Sequence, residues 1–125
     1  MVNLSRVFVG FSGTDIHYYR MMTAWKANKG MDFNFADCQI ETSINSQDES
    51  YIKRVCGNKI NTAGTFIQLI GEDTKSKYKY VRWEAEVAIE KGCRIICVNL
   101  DGSRKITDKC PAILRNVGAV FVPFS

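Results

Sequence analysis

TFIQLIGEDTKSKYKYVRWEAEVAIEKGCRIICVNL, residues 65–100, decides the fold. TFIQLIG (65–71) is a short apolar run that ends on a glycine, the mark of a buried strand. RIICVNL (94–100) is a second one. YVRWEAEVAIE (80–90) lies between them, rich in helix formers and closed by Lys91-Gly92, a helix stop. Two apolar strands joined through a helix are a parallel pair with a crossover.

The same alternation continues outward. RVFVGF (6–11) reads as a buried strand that ends at Ser12-Gly13. Thr14 or Asp15 then caps a helix, whose apolar stripe is Tyr18, Met21, Met22 and Trp25, and which stops at Asn28-Lys29-Gly30. MDFNFAD (31–37) alternates apolar and polar residues, as a strand nearer the sheet edge does. A polar loop to Asn45 precedes the capping box Ser46-x-x-Glu49. That box opens a helix carrying Tyr51, Ile52, Val55, Cys56 and Ile60, with Gly57-Asn58 weakening its second half. Beyond residue 100, Asp101-Gly102 turns the chain, and a short helical stretch is expected near Pro111 to Asn116. AVFVPF (119–124) is the fifth strand, and Pro123 places its end at a sheet edge. The expectation is an α/β fold, a five-stranded parallel sheet with helices on both faces, in a single domain spanning 1–125.

Composition fits an ordinary globular chain. It is 46% hydrophobic and 24% charged, and no apolar run is long enough to cross a bilayer. The first residues carry no apolar core of a signal peptide, so a cytoplasmic location and no membrane partner are expected. Net charge is +4, with one basic cluster, KSKYK (75–79), that a solvated loop explains; no specific nucleic-acid partner is expected. The five cysteines form no C-x-x-C pair, and one histidine makes no His-rich zinc site. Cys93 and Cys97 bracket a strand about 13 Å long, too far apart for a disulfide. Five free thiols and no metal are expected.

Ligands of such sheets bind beyond the carboxyl ends of the strands. Phe11-Ser12-Gly13-Thr14, Asp37, Gly71 and Asn99 to Gly102 occupy that edge. Ser12-Gly13 leads into a helix N-terminus, where backbone N–H groups hold anions, although a tight strand-to-helix turn has the same sequence. His17 has no acid or nucleophile beside it in sequence and reads as a surface or satisfied histidine. Glu84 is the unusual residue. Its helical neighbours at three and four positions are Tyr80, Val81, Val87 and Ala88, an apolar face, whereas Arg82, Glu86 and Glu90 form a separate charged stripe. A buried, charged and unpaired carboxylate costs several kcal/mol. An ion pair within the fold is one account of it, a cleft carboxylate the other.

VFVGF, FIQLIGEDT, YVRWEAEVAIEKG and RIICVNLDG together resemble the TIR-like domains of the Thoeris anti-phage ThsB proteins. The resemblance runs over nearly the whole chain. Its most specific part is Leu69-Ile70-Gly71-x-x-Thr74 followed by the helix Val81-x-Trp83-Glu84. It implies a flavodoxin-like TIR fold and cleavage of the nicotinamide–ribose bond of NAD, a substrate, with no cofactor. It implies Glu84 as the catalytic carboxylate, facing a pocket, with Phe11, Ser12, Gly13, Asp37, Tyr80 and Trp83 around the substrate. It further implies a cyclic ADP-ribose isomer as product, self-association through TIR surfaces, and a separate effector protein reached through that product. Two other functions fit the same residues: a non-catalytic TIR interaction module, and a nucleoside deoxyribosyltransferase-like enzyme.

Overall fold

The computed structural model describes residues 3–29, 34–36, 49–76 and 81–124. Its elements run β1 (Asn3–Gly10), α1 (Ile16–Lys29), β2 (Asn34–Ala36), α2 (Glu49–Asn61), β3 (Ala63–Ile70), α3 (Val81–Lys91), β4 (Arg94–Asn99) and β5 (Val120–Pro123). Short 3-10 turns lie at Gly13–Asp15, Thr74–Ser76 and Ala112–Leu114. The last of these is the expected helical stretch, cut to a single turn. The five strands are parallel, in the order β2-β1-β3-β4-β5. As expected, β2 and β5 are the edges.

The two-residue period of the strands divides the core. Phe8, Phe66, Ile70, Ile95 and Cys97 meet α2 and α3 on one face, and the rings of Phe8 and Phe66 stack with centroids 5.8 Å apart. Val7, Val9, Phe11, Leu69 and Val98 meet α1 on the other. The chain runs from β1 outward to β2 and then back across to β3. The crevice where this reversal happens lies between the carboxyl ends of β1 and β3.

Three local expectations are corrected. The stripe of α1 is turned: Tyr19 is its buried residue, stacked on Phe11 at 4.9 Å, while Met21 and Trp25 are 54% and 55% exposed. Apolar residues lie all round this helix, so spacing allowed two faces, and the Phe11 ring selected one. No side chain of Thr14 or Asp15 caps α1. Ser12 precedes the 3-10 turn without a side-chain cap, and its carbonyl accepts the Asp15 N–H at 2.8 Å. The cysteines differ too. Cys93, Cys97 and Cys110 are free thiols, but Cys56 is disulfide-bonded. Sequence spacing tested the Cys93–Cys97 pair and says nothing of which sulfurs the fold brings together. Burial first, and then the neighbouring Cys110, pushes the Cys97 thiol up to about 12.

Other signals hold. α2 runs unbroken through Gly57-Asn58, and Gly57 sits against the Trp83 ring, 3.7 Å from where a Cβ would lie. Gly92, at φ +75°, ends α3: Cys93 N–H reaches Ala88 O and Gly92 N–H reaches Ile89 O, both at 3.1 Å. The capping residue Ser46 lies outside the described residues.

Candidate functional site

Two carboxylates are buried at the carboxyl edge, one on each face of the sheet. Glu84, in the first turn of α3, is 3% exposed. It reaches across to the end of β1. A Cβ built on Gly10 would lie 3.3 Å from Glu84 Oε1, 3.2 Å from Gln68 Oε1 and 3.0 Å from the Phe66 ring. Gly10 and Gln68 are paired in register on β1 and β3. Gln68 is fully buried, and its Nε2 donates to Gly10 O at 3.0 Å and to Leu69 O at 3.2 Å. Those bonds fix the amide, so its Oε1 turns toward the same space as the Glu84 carboxylate and accepts no hydrogen bond among the described residues. The missing side chain at Gly10 is what leaves room for both oxygens.

Asp15 is the second carboxylate, 8% exposed, on the α1 face. It packs over Gly71: a Cβ there would clash with both carboxylate oxygens, lying 2.7 Å from Oδ1. Its Oδ2 has no hydrogen-bond partner among the described residues. Burial chiefly, and then the charge of Asp73, raise its pKa above the usual 3.8; His17 opposes them and Glu72 adds to them. Beside it, Thr14 Oγ1 donates to the Asp73 carboxylate, 3.0 Å from each oxygen. Thr74 Oγ1 accepts the Gly71 N–H at 2.8 Å. The loops after β1 and β3 are thereby held together across the crevice. On the same edge Asn99 Nδ2 donates to Ser103 O at 2.9 Å and Lys105 O at 3.0 Å, which shapes the loop after β4. Lys109 pairs with Glu72 at 2.6 Å and Asp101 at 3.3 Å, joining the loop after β3 to that after β4.

The remaining expected residues divide. Ser12 is buried at the end of β1, its Oγ 3.2 Å from Thr14 Oγ1, and Gly13 is exposed in the next turn. Both follow the carboxyl end of β1. Phe11 does not accompany Glu84: it is fully buried on the opposite face, because the strand alternation that turns Gly10 toward α3 turns Phe11 toward α1. Trp83 is also directed away, toward α2, with Lys53 Nζ 5.5 Å from its ring centroid. Neighbours on a helix point about 100° apart, so Trp83 faces α2 while Glu84 faces β1. Glu84 does not line the cavity beside Lys75 and Arg115, the one beside Trp83 and Val117, or the one beside Asp15 and Lys109. Asp37, Tyr80 and the loop 38–45 lie outside those residues. Sequence reasoning passed over Gly10, Gln68 and the seat of Asp15. The one visible signal was Gln68, a polar residue inside the apolar run TFIQLIG.

His17 is exposed beside Tyr18, and Arg82 Nε bonds Glu86 Oε1 at 3.0 Å on the exposed side of α3, both as expected. Among the described residues no group of His, Cys, Asp and Glu forms a metal site, and no helix is long and apolar enough to cross a membrane.

Comparison with known proteins gives two findings. Residues 8–105 match the model of the TIR-like domain of Thoeris protein ThsB. The fold is similar to that of the Clostridium botulinum CMP N-glycosidase BcmB, with a TM-score of 0.55 and 12% identity, over 95% of this chain and 88% of that one. No curated protein matches the chain.

Proposed function

The chain belongs to the Thoeris ThsB TIR-like domain family, and on that footing we propose that it is an enzyme that breaks the nicotinamide–ribose bond of NAD, with Glu84 as its catalytic carboxylate. One observation carries this reading: a carboxylate is placed, 3% exposed, over a glycine at the carboxyl end of β1. Taking a carboxylate out of water carries a desolvation cost of several kcal/mol. The position lies at the ligand edge of a parallel sheet.

The chemistry follows from the charge. As the C–N bond to nicotinamide breaks, its electron pair leaves with the neutral ring and positive charge grows on the ribose carbon. A carboxylate fixed nearby in a medium of low dielectric favours that charge without having to reorganise. The nicotinamide nitrogen is already cationic, so no acid is needed to expel it, in contrast to a sugar–oxygen bond. Gln68 Oε1, held beside Glu84, is an acceptor for a ribose hydroxyl. The electron-deficient carbon is then taken by water, or by a second nucleophile of the same molecule to give a cyclic ADP-ribose isomer. In this reading that isomer activates a separate effector protein, and self-association completes the site.

The fold likeness to a CMP N-glycosidase is consistent with N-glycosidic chemistry and names the first competing substrate. Purified protein is incubated with NAD and, separately, with CMP, alone and with extract of phage-infected cells, and the products are weighed by mass spectrometry. Nicotinamide release from NAD, absent in Glu84→Gln, is the expected result. Cytosine release from CMP with NAD untouched would replace the substrate. No turnover of either in any arm favours a binding module.

A further inference from the structure

A cavity of about 380 Å³ lies on the other flank of α3. Val81, Arg82 and Ala85 of that helix line it, and Glu84 does not. Glu84 faces Gly10 on β1, whereas the far wall of the cavity is the segment after β4. Gln68 of β3 also lines the cavity, so the cavity and the Glu84 carboxylate adjoin across that side chain, one toward β4 and the other toward β1.

We propose that this cavity is a second binding site, for a mononucleotide-sized ligand that carries a phosphate. Its charge is the first argument. Lys75 and Arg115 line it, with Arg82, whose guanidinium pairs with Glu86 at 3.0 Å, against the carboxylate of Asp108. Lys75 Nζ donates to Asp108 O at 2.8 Å and Arg115 Nη2 to Thr107 O at 2.7 Å. Backbone carbonyls orient these cations but do not neutralise them, and each keeps further N–H donors for an anion. The N-terminal end of α3 adds its partial positive charge on the same side. Shape is the second argument. Val81, Pro111, Ala112 and Ile113 give the cavity an apolar part, which suits a flat ring, and the volume is in the range of small-ligand sites. The site accounts for Lys75 of the basic KSKYK cluster, which the reaction at Glu84 does not use. The inference does not rest on the NAD reading.

The test is calorimetric titration of the whole protein with AMP, CMP, GMP, UMP, nicotinamide mononucleotide and inorganic phosphate, at low and high salt. At least one mononucleotide should bind, more weakly at high salt. Lys75→Ala and Arg115→Ala should each weaken it about tenfold, the loss of a charge-assisted hydrogen bond. Ala112→Trp, which fills the cavity, should abolish binding, and Glu84→Gln should leave it unchanged. Lys75, Ala112 and Arg115 are exposed, and circular dichroism checks that each variant folds. Absence of binding by every mononucleotide at millimolar concentration overturns the proposal. So does binding that Glu84→Gln weakens and the two cation variants do not. Phosphate that binds as tightly as any mononucleotide overturns the ligand class.

Discussion

Glu84 and Asp15 are buried in the same way and surrounded differently. Each carboxylate sits over a glycine at the carboxyl edge, Glu84 over Gly10 on the α3 face and Asp15 over Gly71 on the α1 face. Asp15 stands among other acids, beside a hydroxyl–carboxylate bond that ties two loops together. It is placed to fill the crevice. Glu84 stands among Phe66, Gln68 and the end of β1, on a helix face that is otherwise apolar. Burial alone therefore does not mark a catalytic acid. The neighbours decide whether the carboxyl group packs a joint or faces chemistry.

The comparison is broken most directly by activity. Glu84→Gln keeps shape and removes charge, and should lower NAD cleavage by about a hundredfold or more with circular dichroism unchanged. Asp15→Asn should retain most of the turnover. If Asp15→Asn is the dead variant and Glu84→Gln is active, the two roles are exchanged.

The two glycines come next. Gly71→Ala forces a Cβ into the Asp15 carboxylate and should cost about 2–3 kcal/mol in urea unfolding, as overpacking does. A second change, Asp15→Ala, should restore most of that loss, because it removes the group that is struck. Gly10→Ala meets looser contacts, 3.0–3.3 Å, and should cost less, about 1–2 kcal/mol. It moves Gln68 and Glu84 instead, so its turnover should fall more than that of Gly71→Ala. Equal turnover in the two would detach Gly10 from the reaction.

A smaller effect is expected from pH. The carboxyl of Asp15 has its pKa raised above 3.8 by burial first and then by Asp73. The folded state thus binds the proton more tightly than the unfolded chain, and the stability this gives is complete below pH 3.8. It is lost as pH rises through the raised value. Asp15→Asn does not titrate, so its stability relative to the original chain should improve from pH 3.5 to pH 7. A difference that stays constant across that range sinks the assignment.

The smallest change is expected at the exposed Arg82–Glu86 pair. Glu86→Ala should alter stability by a few tenths of a kcal/mol and leave turnover intact. A large loss of turnover there would mean that the wrong glutamate of α3 has been chosen.

The sequence by itself determined the layer architecture and singled out Glu84. Apolar strand runs separated by helices have few stable arrangements other than a covered parallel sheet, and strands of period two against helices of period 3.6 separate clearly along the chain. Glu84 was legible for the same reason, as a break in a regular apolar face. The tertiary structure decided everything that depends on which groups meet across the fold. It turned α1 so that Tyr19 rather than Trp25 is buried, and it put Phe11 on the face opposite Glu84. It also gave Cys56 a disulfide and set Gly10 and Gly71 beneath two carboxylates. Gln68 and Glu84 are 16 positions apart along the chain, and Asp15 and Gly71 are 56 apart. Local patterning carries no record of such meetings, because they are fixed by strand register and by the packing of a helix on its sheet.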